Sequence, residues 1–135
     1  MKRFSYATII AIFAGIVATG TFGVAARADV TVMDNDKTID VDCAKDPNVA
    51  LLGNHLTLTT KGVCARISVS GNHATITGSA SAVSVTGNHN TVNLDAADEV
   101  SVTGNDNTVN VQKAIKAKTP RISNPGNRNK ITRGK

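Results

Sequence analysis

Aromatic side chains are scarce in this 135-residue sequence, and tryptophan is absent. The four that occur, Phe4, Tyr6, Phe13 and Phe22, all lie in the first 28 residues. The rest of the chain must fill its interior with aliphatic side chains, which favours a fold with a narrow core. The same scarcity argues against recognition by base stacking, so we expect no nucleic-acid partner.

The usual arrangements of catalytic groups are also missing. No Gly-rich phosphate loop leads into a helical pattern, and serines recur as strand residues rather than beside a base. No acidic pair stands out from the Asp-rich residues at 29–46 as a general acid and base. We therefore predict that the protein is not an enzyme.

The first 28 residues predict an export signal that is cleaved after Ala28. Lys2 and Arg3 supply positive charge, an apolar stretch follows, and Ala26 and Ala28 place small residues before the cleavage point. A retained membrane anchor is the alternative, although glycine and hydroxyl residues dilute the apolar stretch. We expect a periplasmic or secreted bacterial protein with no transmembrane segment after cleavage.

Charge is unevenly distributed along the remaining chain. Residues 29–46 contain six Asp and two Lys, whereas residues 112–135 contain eight Lys or Arg and no acidic residue. A basic carboxy-terminal segment predicts binding to an anionic surface such as lipopolysaccharide or phospholipid, and a merely solubilising end is the alternative. The candidate residues are Lys113, Lys116, Lys118, Arg121, Arg128, Lys130 and Arg133.

Cysteine is limited to Cys43 and Cys64. In an exported protein, two cysteines usually form a disulfide. We predict that this pair is a structural disulfide rather than a redox or metal site.

A repeated unit organises the sequence. The stretch VSVTGNHNTVNL at residues 83–94 returns as VSVTGNDNTVNV at residues 100–111. Each unit is aligned on one anchor position, which is glycine in five of the six units and aspartate in the first. The anchors are Asp34, Gly53, Gly71, Gly87, Gly104 and Gly126, spaced by 19, 18, 16, 17 and 22 residues.

Apolar residues recur at fixed distances from the anchor, four and two residues before it and five after it. Ser and Thr lie between them, which predicts two short β-strands per unit. One unit cannot bury its apolar face alone, so the units must stack. We predict an all-β, single-domain β-solenoid, similar to a parallel β-helix, of about six short coils. Its parts are a signal peptide at 1–28, the repeat domain at 29–111, and a basic segment at 112–135 with a degenerate last coil.

Two polar columns follow from this stacking. The residue after the anchor predicts a structural ladder of stacked amides, formed by Asn35, Asn54, Asn72, Asn88, Asn105 and Asn127. The next position contains His55, His73 and His89 beside Asp106, and Asp36 precedes them. Imidazoles near a carboxylate suit Zn, Cu or Ni, so the column is a candidate metal site. The alternative is that these histidines are turn residues and that the protein has no cofactor.

The repeat V-x-V-[ST]-G-N-x-N-T-V, with two Cys residues in the first coils, resembles the secreted bacterial domain-of-unknown-function family numbered three-zero-six-zero. The resemblance covers roughly residues 39 to 111. It implies an exported β-repeat protein and no particular activity.

The sequence thus predicts an exported envelope module with a structural or binding role and an unidentified envelope or extracellular partner. A metal-binding protein that uses the histidine column is one alternative. A self-assembling surface protein that extends through its amino-terminal edge is another.

Overall fold

The computed structural model describes residues 29–134, so the predicted signal peptide lies outside the described residues. Within this range every regular element is a β-strand. The strands are β1 (Asp29–Val32), β2 (Thr38–Asp42), β3 (Asn48–Leu52), β4 (Thr57–Ser70), β5 (Thr75–Thr86), β6 (Thr91–Thr103), β7 (Thr108–Lys113), β8 (Arg121–Ser123) and β9 (Lys130–Arg133). This part of the chain contains no helix long and apolar enough to span a membrane.

All pairings between these strands are parallel, and each joins equivalent positions of neighbouring units. Val49 pairs with Ile67, which pairs with Val83. Val83 pairs in turn with Val100. The units therefore stack directly upon one another, and the prediction of an all-β solenoid is confirmed. The last unit, made of β8 and β9, stacks on β6 and β7 within the basic segment.

The core consists of the predicted apolar columns. Within the stack, the residues four before, two before and five after each anchor are almost completely buried. They are Val49, Ile67, Val83 and Val100; Leu51, Val69, Val85 and Val102; and Leu58, Ile76, Val92 and Val109. Each side chain covers its counterparts in the coils on either side, so aliphatic residues alone are enough to close this thin interior.

The anchor glycines allow very close contact between coils. A Cβ atom added at Gly71 would overlap the carbonyl oxygen of Gly53, and one added at Gly104 would overlap that of Gly87. Asp34 occupies the anchor position in the first unit, which has no earlier coil among the described residues. Glycine is therefore required wherever another coil lies directly below the anchor.

The left-handed backbone conformation falls two residues after the anchor. All six residues at that position have positive φ angles, between 52° and 57°. They are Asp36, His55, His73, His89, Asp106 and Arg128. Asparagine is among the residues that adopt such angles most readily, but among the asparagines of the ladder none has a positive φ. Aspartate and histidine tolerate this conformation better than most residues do, which explains why they recur there.

Connections of variable length are usually solvent-facing loops, but several of those between units are strands. β4, β5 and β6 each run continuously from one unit into the next, with register shifts after Thr59 and after Gly78. Small side chains explain the difference, because Ala80 and Ala97 pack inside the connections and are completely buried. Among the connections between units, those at residues 43–47 and 114–120 leave the sheet.

Cys43 and Cys64 form the predicted disulfide, with their Cα atoms 4.8 Å apart. Both residues are buried, and the bond joins the connection after β2 to the middle of β4. Closing a loop of this length stabilises the folded chain by about 3 kcal/mol on the chain-entropy estimate. The disulfide thus ties the first coil to the second.

Candidate functional site

One corner of the solenoid forms an open groove along the stacking direction. Its volume is about 520 Å³. We call it the corner groove, and its lining combines the asparagine ladder with the residue that follows each asparagine: Asn54, His55, Asn72, His73, Asn88, His89, Asn105, Asp106 and Arg128. Because four successive coils contribute one such pair each and the last coil adds Arg128, the groove is as regular as the sheet that supports it.

The asparagine ladder is hydrogen-bonded from coil to coil. The side-chain Nδ2 of Asn72 donates to Oδ1 of Asn54 at 3.0 Å, and the backbone N–H of Asn72 donates to the same oxygen at 3.1 Å. The same pair of bonds recurs at each step from Asn35 to Asn105. Among the described residues Asn127 does not continue this pattern; its backbone N–H bonds to the carbonyl of Gly104 instead.

A second asparagine ladder lies inside the solenoid. Its members lie three residues after the anchor and were not predicted from the sequence. Asn90 and Asn107 are completely buried. Oδ1 of Asn107 accepts the backbone N–H of Asn90 at 2.8 Å, and Nδ2 of Asn107 donates to the carbonyl of Gly87 at 2.9 Å. The second Asn of the recurring GNxN motif was the available signal. Its amide satisfies buried backbone groups at the turn.

The three histidines stack face to face along the groove. The ring centroids of His55 and His73 are 5.0 Å apart with an interplanar angle of 13°, and those of His73 and His89 are 5.1 Å apart with an angle of 5°. A carboxylate lies at each end: Asp36 is 3.6 Å from Nδ1 of His55, and Asp106 is 3.9 Å from Nε2 of His89. The column is therefore a stack of three imidazole rings with a carboxylate at each end.

Arg128 closes the column at the carboxy-terminal end. Its Nε and Nη2 donate to the two carboxylate oxygens of Asp106 at 2.7 and 2.6 Å. These hydrogen bonds lower the pKa of Asp106 and raise the pKa of Arg128. The negative charge of Asp106 is thereby balanced within the column.

The predicted metal ligands do not converge on a common point. Among the described residues no group of three or more His, Cys, Asp or Glu side chains is arranged to hold a metal ion. The stacked rings of His55, His73 and His89 lie parallel, whereas a tetrahedral site needs ligands directed at one centre. Asp106, the fourth predicted ligand, is already engaged with Arg128.

The predicted basic residues divide into two groups. Arg128 is paired with Asp106, so it contributes little free positive charge. The other six side chains are exposed and form no salt bridge within residues 29–134: Lys113, Lys116, Lys118, Arg121, Lys130 and Arg133. We call these six residues the basic end.

Asp98 is hydrogen-bonded to the connection that contains Lys116 and Lys118 of the basic end. Its Oδ1 accepts three consecutive backbone N–H groups, from Ile115, Lys116 and Ala117, at 2.8, 2.8 and 3.1 Å. The hydrogen bonds from Lys116 and Ala117 are the main reason that the pKa of Asp98 lies below its ordinary value. The charged carboxylate therefore fixes the shape of residues 114–120.

Acid should loosen this connection. A carboxylate whose pKa is lowered by folding stabilises the protein fully above its unfolded pKa, near 3.9, and this stability is lost as pH falls towards the folded pKa. We expect the stability of the natural protein to fall more steeply as pH is lowered from about 5 than that of Asp98→Asn, which keeps the acceptor oxygen without the charge. Chemical denaturation at several pH values measures this, and parallel pH curves for the two proteins would contradict it.

Comparison with known protein families gives a match. A protein-family model described as Protein of unknown function (DUF3060) matches residues 70–128, which confirms the predicted resemblance over those residues. The matched range includes the anchors Gly71, Gly87, Gly104 and Gly126. Searches of curated proteins and of solved structures found no match.

Proposed function

We propose that this DUF3060-like solenoid is an exported, non-enzymatic module of the bacterial envelope that binds an anionic surface through its basic end. The observation that supports the proposal is the concentration of six exposed, unpaired cations in the last part of the stack. No acidic residue occurs after position 111 to oppose them. The opposite end of the chain is Asp-rich, so the molecule would meet a negative surface in one orientation.

Rigidity strengthens this interaction. Lys113 ends β7, and Asp98 fixes the connection that carries Lys116 and Lys118. Arg121 and Lys130 lie on the strands of the last coil. Fewer backbone conformations are lost when such preorganised cations bind than when a flexible tail binds. A disordered basic segment of the same composition would bind more weakly per charge.

The test is co-sedimentation with lipid vesicles. The full gene is expressed in a bacterium, the oxidised protein is purified from the periplasm, and its intact mass is expected to place the first residue at Asp29. Vesicles containing phosphatidylglycerol should retain this protein, whereas vesicles of phosphatidylcholine should not. Binding should weaken strongly when salt is raised, because exposed charges are screened.

A triple variant removes part of the basic end without touching a strand of the last coil. Lys113, Lys116 and Lys118 are replaced by Gln, and each cation near a membrane contributes about 1 kcal/mol, so vesicle partitioning should fall about a hundredfold. The matched control replaces Lys37 and Lys45 by Gln at the opposite end of the stack and should bind as the natural protein does. Equal retention by both vesicle types, or unchanged binding of the triple variant, would refute the proposal.

A further inference from the structure

The corner groove offers hydrogen-bond donors but few free acceptors. In the ladder, Oδ1 of Asn54, Asn72 and Asn88 each accepts two hydrogen bonds, one from a backbone N–H and one from a side-chain amide. An amide oxygen has two lone pairs, so these oxygens are saturated. Each Nδ2, in contrast, donates one bond and keeps a second hydrogen without a protein partner among the described residues.

These free donors repeat once per coil. Asn54, Asn72, Asn88 and Asn105 line the groove in succession, and neighbouring strands of a sheet are about 4.8 Å apart. The histidine rings beside them repeat at 5.0 and 5.1 Å. A compact ligand would meet only one or two of these donors. An extended polymer with acceptor oxygens at similar intervals would meet all of them.

A charged acceptor suits these donors best. A hydrogen bond to a carboxylate is stronger than one to a neutral oxygen, so an anionic polymer is favoured over a neutral one. Asp106, the carboxylate in the groove lining, is already paired with Arg128, and Asp36 lies beyond the lining at the other end. Each of the three imidazoles between these two ends can donate a further N–H.

We propose that the corner groove binds an extended acidic polysaccharide, whose carboxylate and hydroxyl oxygens accept hydrogen bonds from the asparagine ladder and the histidine column. This site is separate from the basic end and does not depend on vesicle binding. The groove is open along its length, so a long chain can pass through without needing a terminus. The ladder supplies a row of fixed donors, and the imidazole N–H groups of the histidines add to it.

The probe is a hexamer of galacturonic acid, compared with the same hexamer as its methyl ester and with the monomer. The periplasmic, oxidised protein is titrated by calorimetry at pH 7.5. We expect the hexamer to bind at least about tenfold more tightly than the ester, and the monomer to show no saturable binding. The side-chain amide signals of Asn54, Asn72, Asn88 and Asn105 should shift in nitrogen–proton spectra.

Two variants separate this site from the basic end. Replacing His55, His73 and His89 together by Gly, which adopts the left-handed conformation freely, should lower the affinity for the hexamer about tenfold and leave the circular dichroism spectrum unchanged. The triple Gln variant at Lys113, Lys116 and Lys118 should bind the hexamer as the natural protein does. The proposal is overturned if the asparagine signals do not move, if the ester binds equally, or if the triple Gln variant loses the hexamer.

Discussion

Gly71→Ala should destabilise the protein by at least about 3 kcal/mol, because the new methyl group overlaps the Gly53 carbonyl oxygen of the coil below. This oxygen belongs to the backbone, so no side-chain rotation relieves the contact. The two coils must separate locally, which also weakens the hydrogen bonds on either side of the turn. Denaturant unfolding followed by circular dichroism measures the change, since the described residues contain no aromatic reporter.

Gly62→Ala is the matched control. Gly62 has a φ angle of +80°, but nothing lies within 4 Å of the position of its Cβ. It should therefore lose only about 1 to 2 kcal/mol, the cost of a left-handed alanine. Gly71 is not among the glycines with positive φ, so the stability lost in Gly71→Ala measures the contact between coils alone. Equal losses in the two variants would show that close packing is not what requires glycine at the anchor.

Asn107→Ala should cost about 2 to 6 kcal/mol, since it leaves one buried and one partly buried backbone group without partners at about 1 to 3 kcal/mol each. The buried group is the N–H of Asn90, and the partly buried one is the carbonyl of Gly87. The N–H of Asn90 would remain enclosed by the coils that surround the inner ladder. The loss should appear as a lower denaturation midpoint with an unchanged slope, because the surface exposed on unfolding stays the same.

A comparison with Asn110→Ala distinguishes the effect of burying an asparagine amide from the effect of an amide–amide hydrogen bond as such. Asn110 is half-buried, and its Nδ2 donates to Oδ1 of Asn93 at 2.8 Å. Water can replace this bond, so the expected loss is about 1 kcal/mol or less. If Asn107→Ala and Asn110→Ala lost the same stability, the inner ladder would have no special role in holding the turns.

The fold was predictable because a solenoid repeats the same strand-and-turn unit along the chain. Apolar residues at fixed distances from the anchor identify the strands, and neighbouring coils then constrain each other into a single register. Val83 and Val100 could be paired from the sequence alone, and the structure pairs them. The amino-acid types could not show that the connections near Ala80 and Ala97 stay in the sheet, since alanine suits loops and strands alike.

The candidate site was predictable in position but not in chemistry. The register places His55, His73 and His89 in one column, as the sequence predicts. Whether imidazoles in a column stack or converge depends on side-chain rotation, which spacing does not specify. The inner ladder could not be predicted because Leu56 and Ala74 occupy the equivalent position in earlier coils. Asn90 and Asn107 therefore have the pattern of ordinary turn residues.

Asp34 limits how the number of repeats can change. A unit carrying Asp34 could not be copied into the interior, because its Cβ would meet the carbonyl oxygen of the anchor below, as at Gly53 and Gly71. Duplication of interior units adds coils freely, whereas the first unit must remain first. The same contact opposes in-register addition of a second molecule at this end, so the gene can lengthen the solenoid but the folded chain resists growing into a fibre.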